Sequence, residues 1–175
     1  GIIPQFDGYF DLKEIDLSVY KNASVVGTIF HDYSGEDVQG MQAGKQADIV
    51  ELLYQMEDIT TPDNKAKNYV YYEARTLHDS SLSKAIHSIT ACDLGMEKEA
   101  YEMFMSAALT DLGQEMKSSD AGIHSANMGG VWQDVVMGFG GIRIRDGHLR
   151  IAPNCPKQWE KFTYPIYWKG NKLDV

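Results

Sequence analysis

The sequence is short of cysteine, of long apolar runs and of basic charge. Its two cysteines, Cys92 and Cys155, lie far apart, and neither belongs to a Cys-x-x-Cys pair. That spacing favours free thiols in a reducing compartment over a disulfide framework, so we expect a cytoplasmic protein. The longest apolar runs, such as 131–139, are far below the roughly 20 residues of a membrane-spanning helix. The first ten residues have neither a basic start nor an apolar run, and we expect no signal peptide.

Acidic residues outnumber basic ones by 25 to 16, which gives a net charge of −9 at pH 7. Phosphate backbones and anionic lipids repel such a chain, so we expect no nucleic-acid partner and no membrane. The hydrophobic content of 43% and charged content of 23% are those of a globular protein. The length of 175 residues is that of one ordinary domain with a real core.

The sequence also lacks common motifs for metal binding, serine nucleophiles and dinucleotide binding. The five histidines form no HExxH or comparable ligand spacing, so we expect no metal ion. There is no Gly-x-Ser-x-Gly elbow for a serine nucleophile. The glycine-rich run over 138–141 follows a predicted helix instead of opening one, which excludes a dinucleotide loop. We therefore expect no cofactor.

After an irregular stretch over 1–40, apolar residues recur at three- and four-residue spacing, which is typical of helices. The spacing predicts helices over 43–56, 80–94, 97–112 and 127–137, with a short helix or turn over 64–72.

Capping residues and glycines mark the ends of these helices. Thr61 or Asp63 is the expected cap before the 64–72 segment, and Gly95 and Gly113 are the expected stops. In the last helix we expect Trp132, Val135 and Val136 to face inward.

The apolar period changes from 3.6 to 2 near Gly141. Residues 142–145 and 148–151 alternate on either side of Asp146-Gly147, a strong signal for a two-residue hairpin turn. A second pair of strands is predicted on either side of Gly170-Asn171. The sequence thus predicts a helical body over 1–141 and the start of a β domain over 142–175.

Polar residues crowd the N-terminal end of a predicted helix in three places. The three clusters lie over 45–48, 75–83 and 122–132. Free backbone N–H groups at a helix start, together with hydroxyl and cationic side chains, form a ready site for an anion. Each feature also has a purely structural explanation. Ser80 and Ser81 can be plain helix caps, His124 a satisfied loop histidine and Lys45 a solvated charge.

The same clusters carry a resemblance to glycoside hydrolase family 65, the family of maltose, trehalose, kojibiose and nigerose phosphorylases and a few hydrolases. Four motifs occur in the family's order and cover essentially the whole chain. They are Pro4-Gln5-Phe6-Asp7-Gly8-Tyr9-Phe10, Lys45-Gln46-Ala47-Asp48, the Tyr72-Glu73-x-Arg75-Thr76-x-His78-x-Ser80-Ser81-Leu82-Ser83 run, and Gly122-Ile123-His124 through Gly130-x-Trp132.

The resemblance implies a mainly α fold. The family's catalytic domain is an (α/α)6 toroid of twelve helices followed by a C-terminal β domain. The chain would then be the C-terminal portion of that toroid and the first β-hairpins of the next domain. The chain starts at Gly1 without a methionine and stops within a predicted strand, so both ends look cut. The family's general-acid glutamate is expected upstream of Gly1, and the isolated chain is expected to be inactive.

The resemblance also implies roles for single residues. Ser80, Ser81 and His124 are assigned to phosphate, with His78 a weaker candidate that orients the loop, and Lys45 and Gln46 to glucose. An inverting hydrolase needs a carboxylate to activate water, whereas phosphate is already a nucleophile that a carboxylate would repel. The reaction would split an α-glucosyl disaccharide with phosphate and give β-glucose 1-phosphate, in an enzyme expected to be a homodimer.

Two alternatives remain at this point. One is a family 65 α-glucoside hydrolase, and the other is a non-catalytic helical domain that binds an anion or a partner. The sequence does not fix the disaccharide linkage, although the segment Met116 to Asp120 resembles the trehalose and kojibiose enzymes more than the maltose phosphorylases.

Overall fold

A computed structural model describes residues 1–21, 26–112 and 122–175 of the chain. The predicted stop at Gly113 and the segment Met116 to Asp120 lie outside these ranges. Two short α-helices interrupt the N-terminal stretch that the sequence predicted to be irregular, and five more follow. Their bounds are α1 Ser18–Lys21, α2 Gly35–Gln39, α3 Asp48–Gln55, α4 Pro62–Glu73, α5 Ser83–Asp93, α6 Glu97–Ala108 and α7 Ser125–Gln133.

Helix α3 begins five residues later than its apolar spacing predicts. Gly44 is held in an extended conformation, because its N–H donates to the carbonyl of Arg75 at 2.7 Å and its carbonyl accepts from Leu77 at 2.8 Å. The short parallel bridge ties the segment before α3 to the segment before α5. A contact between residues about thirty positions apart therefore overrides the local helical pattern.

The local end signals of α4 and α5 are confirmed. The Thr61 side chain caps α4 by accepting a hydrogen bond from the N–H of Asn64 at 3.3 Å. Helix α5 ends at Asp93, and Gly95 follows with φ of +71°, a backbone conformation that glycine adopts without steric cost. The 64–72 segment is part of a full helix of 12 residues.

Side-chain contacts fix the directions of the helices that surround α5. Helix α4 is antiparallel to it, since Lys65 near the start of α4 meets Asp93 at the end of α5 at 2.7 Å. Helix α6 is also antiparallel, because Lys84 meets Ser106 while Ser88 reaches the carbonyl of Ala100.

Helix α7 runs parallel to α5. Gly130 packs so closely on Ala85 that an added Cβ would lie 3.1 Å from the Ala85 side chain, and further along Asp134 lies 2.8 Å from Ser88. The helical array therefore alternates in direction from α4 to α7.

The end of α7 differs from the prediction. The chain passes at Asp134 into a π-helix, Asp134–Phe139, which continues beyond the predicted break at Gly138. Val136 is buried as expected, whereas Trp132 is 59% exposed and does not face the core. The wider π turn rotates the following residues relative to a regular α-helix, so one helical stripe cannot bury both Trp132 and Val136.

Two antiparallel hairpins complete the chain: β1 Ile142–Arg145 with β2 His148–Ile151, and β3 Pro165–Trp168 with β4 Asn171–Asp174. Asp146 and Gly147 both have positive φ, as the predicted turn requires. The second turn is Lys169-Gly170 and not Gly170-Asn171, because Asn171 already pairs with Trp168 in the ladder.

Buried ion pairs fasten the first hairpin to the helices. The guanidinium of Arg143 donates to Asp93 at 2.7 Å and to Glu57 at 2.8 Å, and it lies over the ring of Tyr54. Arg145 reaches the second oxygen of Glu57 at 3.1 Å. The main core is formed by apolar residues of α3 to α6 and of the π-helix. Among the described residues, every helix is too short or too polar to cross a lipid bilayer.

Candidate functional site

The three polar clusters lie at one end of the helical array. Arg143 brings Tyr54, near the end of α3, and Asp93, the last residue of α5, to the same place, so these two helices run in parallel. Helix α7 is parallel to α5 as well. The N-termini of α3, α5 and α7 therefore share an end, where their free N–H groups and positive dipole ends favour an anion.

The serine cluster forms a short loop ahead of α5. Ser80 and Ser81 are partly exposed, and the helix itself begins only at Ser83. Ser80 acts partly as a local cap, since its Oγ accepts a weak hydrogen bond from the N–H of Leu82 at 3.3 Å. The Ser81 hydroxyl has no hydrogen-bond partner among the described residues and is available to a ligand.

His124 stands at the start of α7 and is fixed by Asp111, which follows the end of α6. The carboxylate accepts from the backbone N–H of His124 at 2.9 Å and from its ring Nδ1 at 2.6 Å. The side-chain hydrogen bond lowers the pKa of Asp111. Since Nδ1 is engaged, Nε2 is the ring nitrogen left for a ligand, and no described residue bonds to it.

Lys45 and Gln46 follow directly on the Gly44 bridge and are exposed. Lys45 lines a cleft of ≈ 310 Å³ together with Asp79 of the serine loop and the apolar side chains of Phe30, Val38 and Leu77. Gln46 borders a small neighbouring pocket near Arg75. The bridge thus places the Lys45-Gln46 pair next to the segment that leads into Ser80 and Ser81.

His78 differs from the other candidates because its ring is buried and both of its nitrogens are occupied. Nδ1 lies 2.8 Å from the Oγ of Ser83, and Nε2 lies 3.0 Å from Oε2 of Glu73. Its backbone is left-handed, with φ of +58°, which is uncommon outside glycine. A ligand could reach His78 only after one of these bonds broke.

A buried polar cluster of Glu73, His78, His87 and Lys21 lies beneath the serine loop. Lys21 donates to Oε1 of Glu73 at 2.6 Å. Burial alone would raise the pKa of Glu73, but the hydrogen bond from His78 and the electrostatic interactions with His78, His87 and Lys21 lower it to about 2. Burial lowers the pKa of His87 to about 4, so its ring is neutral at pH 7.

Ligand atoms of Glu73, His78 and His87 lie within 4.8 Å of one another, close enough for a metal ion. The ammonium group of Lys21 already neutralises Glu73, however, and a second cation there would be repelled. Ser83, His78 and Glu73 also line up like a serine, histidine and acid triad, but the serine is completely buried and cannot meet a substrate.

The sequence pattern did not reveal Asp111, Lys21 or His87 as part of this region. Glu73 and His78 stand in the quoted motif, and His87 lies four residues after Ser83, so it faces the same side of α5. The four-residue spacing from Ser83 could therefore have placed His87 near the serine cluster. Asp111 and Lys21 come from other elements, and only the packing of the helices brings them here.

Comparisons with known proteins show the family to which the chain is similar. The profile of the glycosyl hydrolase family 65 central catalytic domain matches residues 1–133, and that of the family's C-terminal domain matches residues 142–175. A kojibiose phosphorylase of Halothermothrix orenii is 45% identical over 174 residues, which are 99% of this chain and 22% of that protein. An alpha,alpha-trehalose phosphorylase of Thermoanaerobacter brockii is 36% identical over the same shares of the two chains.

A solved structure is similar as well. It is described provisionally as a kojibiose phosphorylase from human microbiome, and it superimposes with a TM-score of 0.86 at 32% identity. The match covers 97% of this chain and 25% of that one. The chain therefore spans about a quarter or less of the length of these relatives, and the fold agrees with the last part of an (α/α)6 domain. The extent of the profile match and the sequence identity together show that this chain belongs to glycosyl hydrolase family 65.

Proposed function

We propose that this chain is the C-terminal part of the catalytic domain of an inverting disaccharide phosphorylase, together with the start of its β domain. The enzyme would split an α-glucosyl disaccharide with inorganic phosphate and release β-glucose 1-phosphate and a sugar. The phosphorylase names of the relatives support this class. The observation that carries the proposal is the convergence of the starts of α3, α5 and α7 at one end of the array.

Phosphate suits this end of the molecule. The loop offers hydroxyl donors at Ser80 and Ser81, and His124 offers Nε2, while the carboxylate of Asp111 is occupied by His124. These groups and the helix dipoles favour an incoming dianion. Lys45 and Gln46 are proposed to hold the hydroxyls of the glucose unit, in keeping with the Lys45 cleft beside the same loop.

The rest of the enzyme is proposed to come from a longer protein. The division into 1–141 and 142–175, the upstream general-acid glutamate, the homodimer, the absence of a cofactor and a cytoplasmic location belong to this proposal. Met128 and Trp132 lie one turn apart on α7 and are 56% and 59% exposed, which supports a further helix against α7. Under this proposal the isolated chain lacks the general acid that protonates the leaving sugar, and it is inactive.

The test is phosphate dependence. The full-length protein is supplied with kojibiose, trehalose, maltose and nigerose in turn, with and without phosphate, and β-glucose 1-phosphate and free glucose are measured. We expect β-glucose 1-phosphate from one of the four, only when phosphate is present, and no product from the isolated chain. Phosphate-independent release of glucose would instead assign the protein to the hydrolases of the family. No turnover, with stable folding of the isolated chain, would favour a binding domain.

A further inference from the structure

The loop that carries Ser80 and Ser81 is held at both ends by one buried chain of hydrogen bonds. Glu73 is the last residue of α4 and Ser83 is the first residue of α5. His78 stands between them and contacts both, with 2.8 Å to Ser83 and 3.0 Å to Glu73. The left-handed backbone of His78 turns the chain so that its ring points inward, at the point where the loop leaves α4.

The protons in this chain can be assigned from the neighbouring His87. Its Nδ1 lies 3.0 Å from the carbonyl of Ser83, which only accepts, so this nitrogen carries the proton. Because burial keeps His87 neutral, its Nε2 has no proton and makes no hydrogen bond, although it lies 3.2 Å from Oε2 of Glu73.

Because Nε2 of His87 has no proton to donate to Oε2 of Glu73, His78 must supply the hydrogen bond that this oxygen accepts. Its Nε2–H donates to Oε2 of Glu73, since Oε1 is taken by Lys21. At its other nitrogen, Nδ1, the ring of His78 shares a hydrogen bond of 2.8 Å with the hydroxyl of Ser83. The ring of His78 thus joins Ser83 to Glu73 through two hydrogen bonds, and neither end of the loop can shift without breaking one of them.

We propose that Ser83 and His78 are positioning residues for phosphate: they hold both ends of the 79–82 loop so that the hydroxyls of Ser80 and Ser81 face the attacking anion. Neither residue touches phosphate, because Ser83 is completely buried and both ring nitrogens of His78 are engaged. The inference rests on the proposed phosphorylase function and adds the group that preorganises its anion site.

The first test is Ser83→Ala in the full-length protein, with Ser88→Ala as the matched control. Both serines are completely buried in α5 and lose one hydroxyl, but Ser88 bonds to Ala100 and Asp134 on the side away from the loop. We expect Ser83→Ala to raise KM for phosphate about fivefold to tenfold and to change KM for the disaccharide less than twofold. Ser88→Ala is expected to lower the melting temperature without this selective effect.

A double-mutant cycle with His78→Asn tests the chain itself, since asparagine tolerates the left-handed backbone but is too short to span from Ser83 to Glu73. In the His78→Asn background we expect Ser83→Ala to have no further effect on KM for phosphate. Ser88→Ala should lower the melting temperature there as it does in the wild type. Equal effects of the two serine changes, or additive effects of Ser83→Ala and His78→Asn, would overturn the inference. If the wild type needs no phosphate at all, the proposed function fails first, and the two failures are thereby distinguished.

Discussion

Asp111 accepts two hydrogen bonds from His124, one from the backbone N–H at 2.9 Å and one from ring Nδ1 at 2.6 Å. The two residues are 13 positions apart; Asp111 follows the end of α6, and His124 directly precedes the first residue of α7. The double contact fixes both the first turn of α7 and the rotation of the imidazole. It leaves Nε2 as the nitrogen that we propose to contact phosphate, so Asp111 sets the orientation of the His124 ring.

Replacing Asp111 by asparagine tests this arrangement. Both groups that meet the carboxylate are donors, and an amide can accept at only one of its two ends. We therefore expect Asp111→Asn in the full-length protein to raise KM for phosphate about tenfold, with a much smaller change in KM for the disaccharide. The measurement is steady-state phosphorolysis with each substrate varied in turn.

Glu102→Gln is the control for that change, because it also removes one negative charge, from nearby α6, at an exposed position that pairs with Lys98 at 3.8 Å. Its kinetics should match those of the wild type. A loss of similar size in both variants would point to the overall negative charge of this region and not to His124.

Lys45→Met tests the sugar side of the site. Methionine keeps much of the apolar stem that lines the Lys45 cleft but removes the ammonium donor. Loss of a hydrogen bond from a charged group should lower kcat/KM for the disaccharide about tenfold to a hundredfold. Lys98→Met, on the exposed face of α6, is the matched control and should leave kcat/KM unchanged. An undiminished kcat/KM in Lys45→Met would remove Lys45 from the sugar site.

His87 should make the folded state sensitive to acid. Its native pKa is about 4, below the ordinary 6.5, because the ring is buried and His78 and Lys21 lie nearby, and these effects outweigh the opposing charge of Glu73. The unfolded chain therefore binds a proton first as the pH falls. The contribution of His87 is complete above pH 6.5 and is lost between pH 6.5 and about 4, by at most about 1.4 kcal/mol per pH unit.

Urea unfolding of the wild type and of His87→Gln at several pH values between 7.5 and 4.5 measures this effect. The difference in unfolding free energy between the two proteins should shrink as the pH falls, because glutamine does not titrate. Two curves that stay parallel through this range would show that His87 does not remain neutral in the native protein.

Where the end of a helix or strand depends on local residues, the sequence predicted it; where it depends on a contact with a distant segment, the sequence did not. Gly95 ends α5 and Asp146-Gly147 forms the first hairpin turn through their own backbone preferences, so both predictions are confirmed. The late start of α3 depends on Gly44 pairing with Arg75, a contact that no local pattern contains. The candidate residues at the helix starts came from motifs, whereas the roles of Glu73 and Asp111 follow only from how α4 and α6 pack against their neighbours.

Asp134 should act on stability in the opposite direction to His87. It is completely buried at the start of the π-helix, and burial raises its pKa to about 8. Its hydrogen bonds agree with a neutral acid. The hydroxyl of Ser88 lies 2.7 Å from the carbonyl of Ala100 and 2.8 Å from Oδ1 of Asp134, but it has only one proton to give. A proton on Asp134 supplies the second bond.

The sign of the pH dependence follows from where each state releases this proton. The unfolded chain loses it near the ordinary pKa of 3.8, whereas the native protein keeps it until about pH 8. Between these values the native state binds more protons, so its stability falls as the pH rises, by at most about 1.4 kcal/mol per pH unit. Asp134→Asn removes the titration and keeps a donor for Ser88, the N–H of the side-chain amide.

We therefore expect the unfolding free energy of Asp134→Asn, relative to that of the wild type, to increase steadily from pH 5 to pH 8. Above pH 8 this difference should stay constant. Between pH 4 and 6.5 the losses from His87 and Asp134 run in opposite directions, so the wild-type curve alone can be nearly flat there. Comparison of the two single variants with the wild type separates the contributions. A constant difference between Asp134→Asn and wild type from pH 5 to pH 8 would mean that Asp134 is ionised in the folded protein.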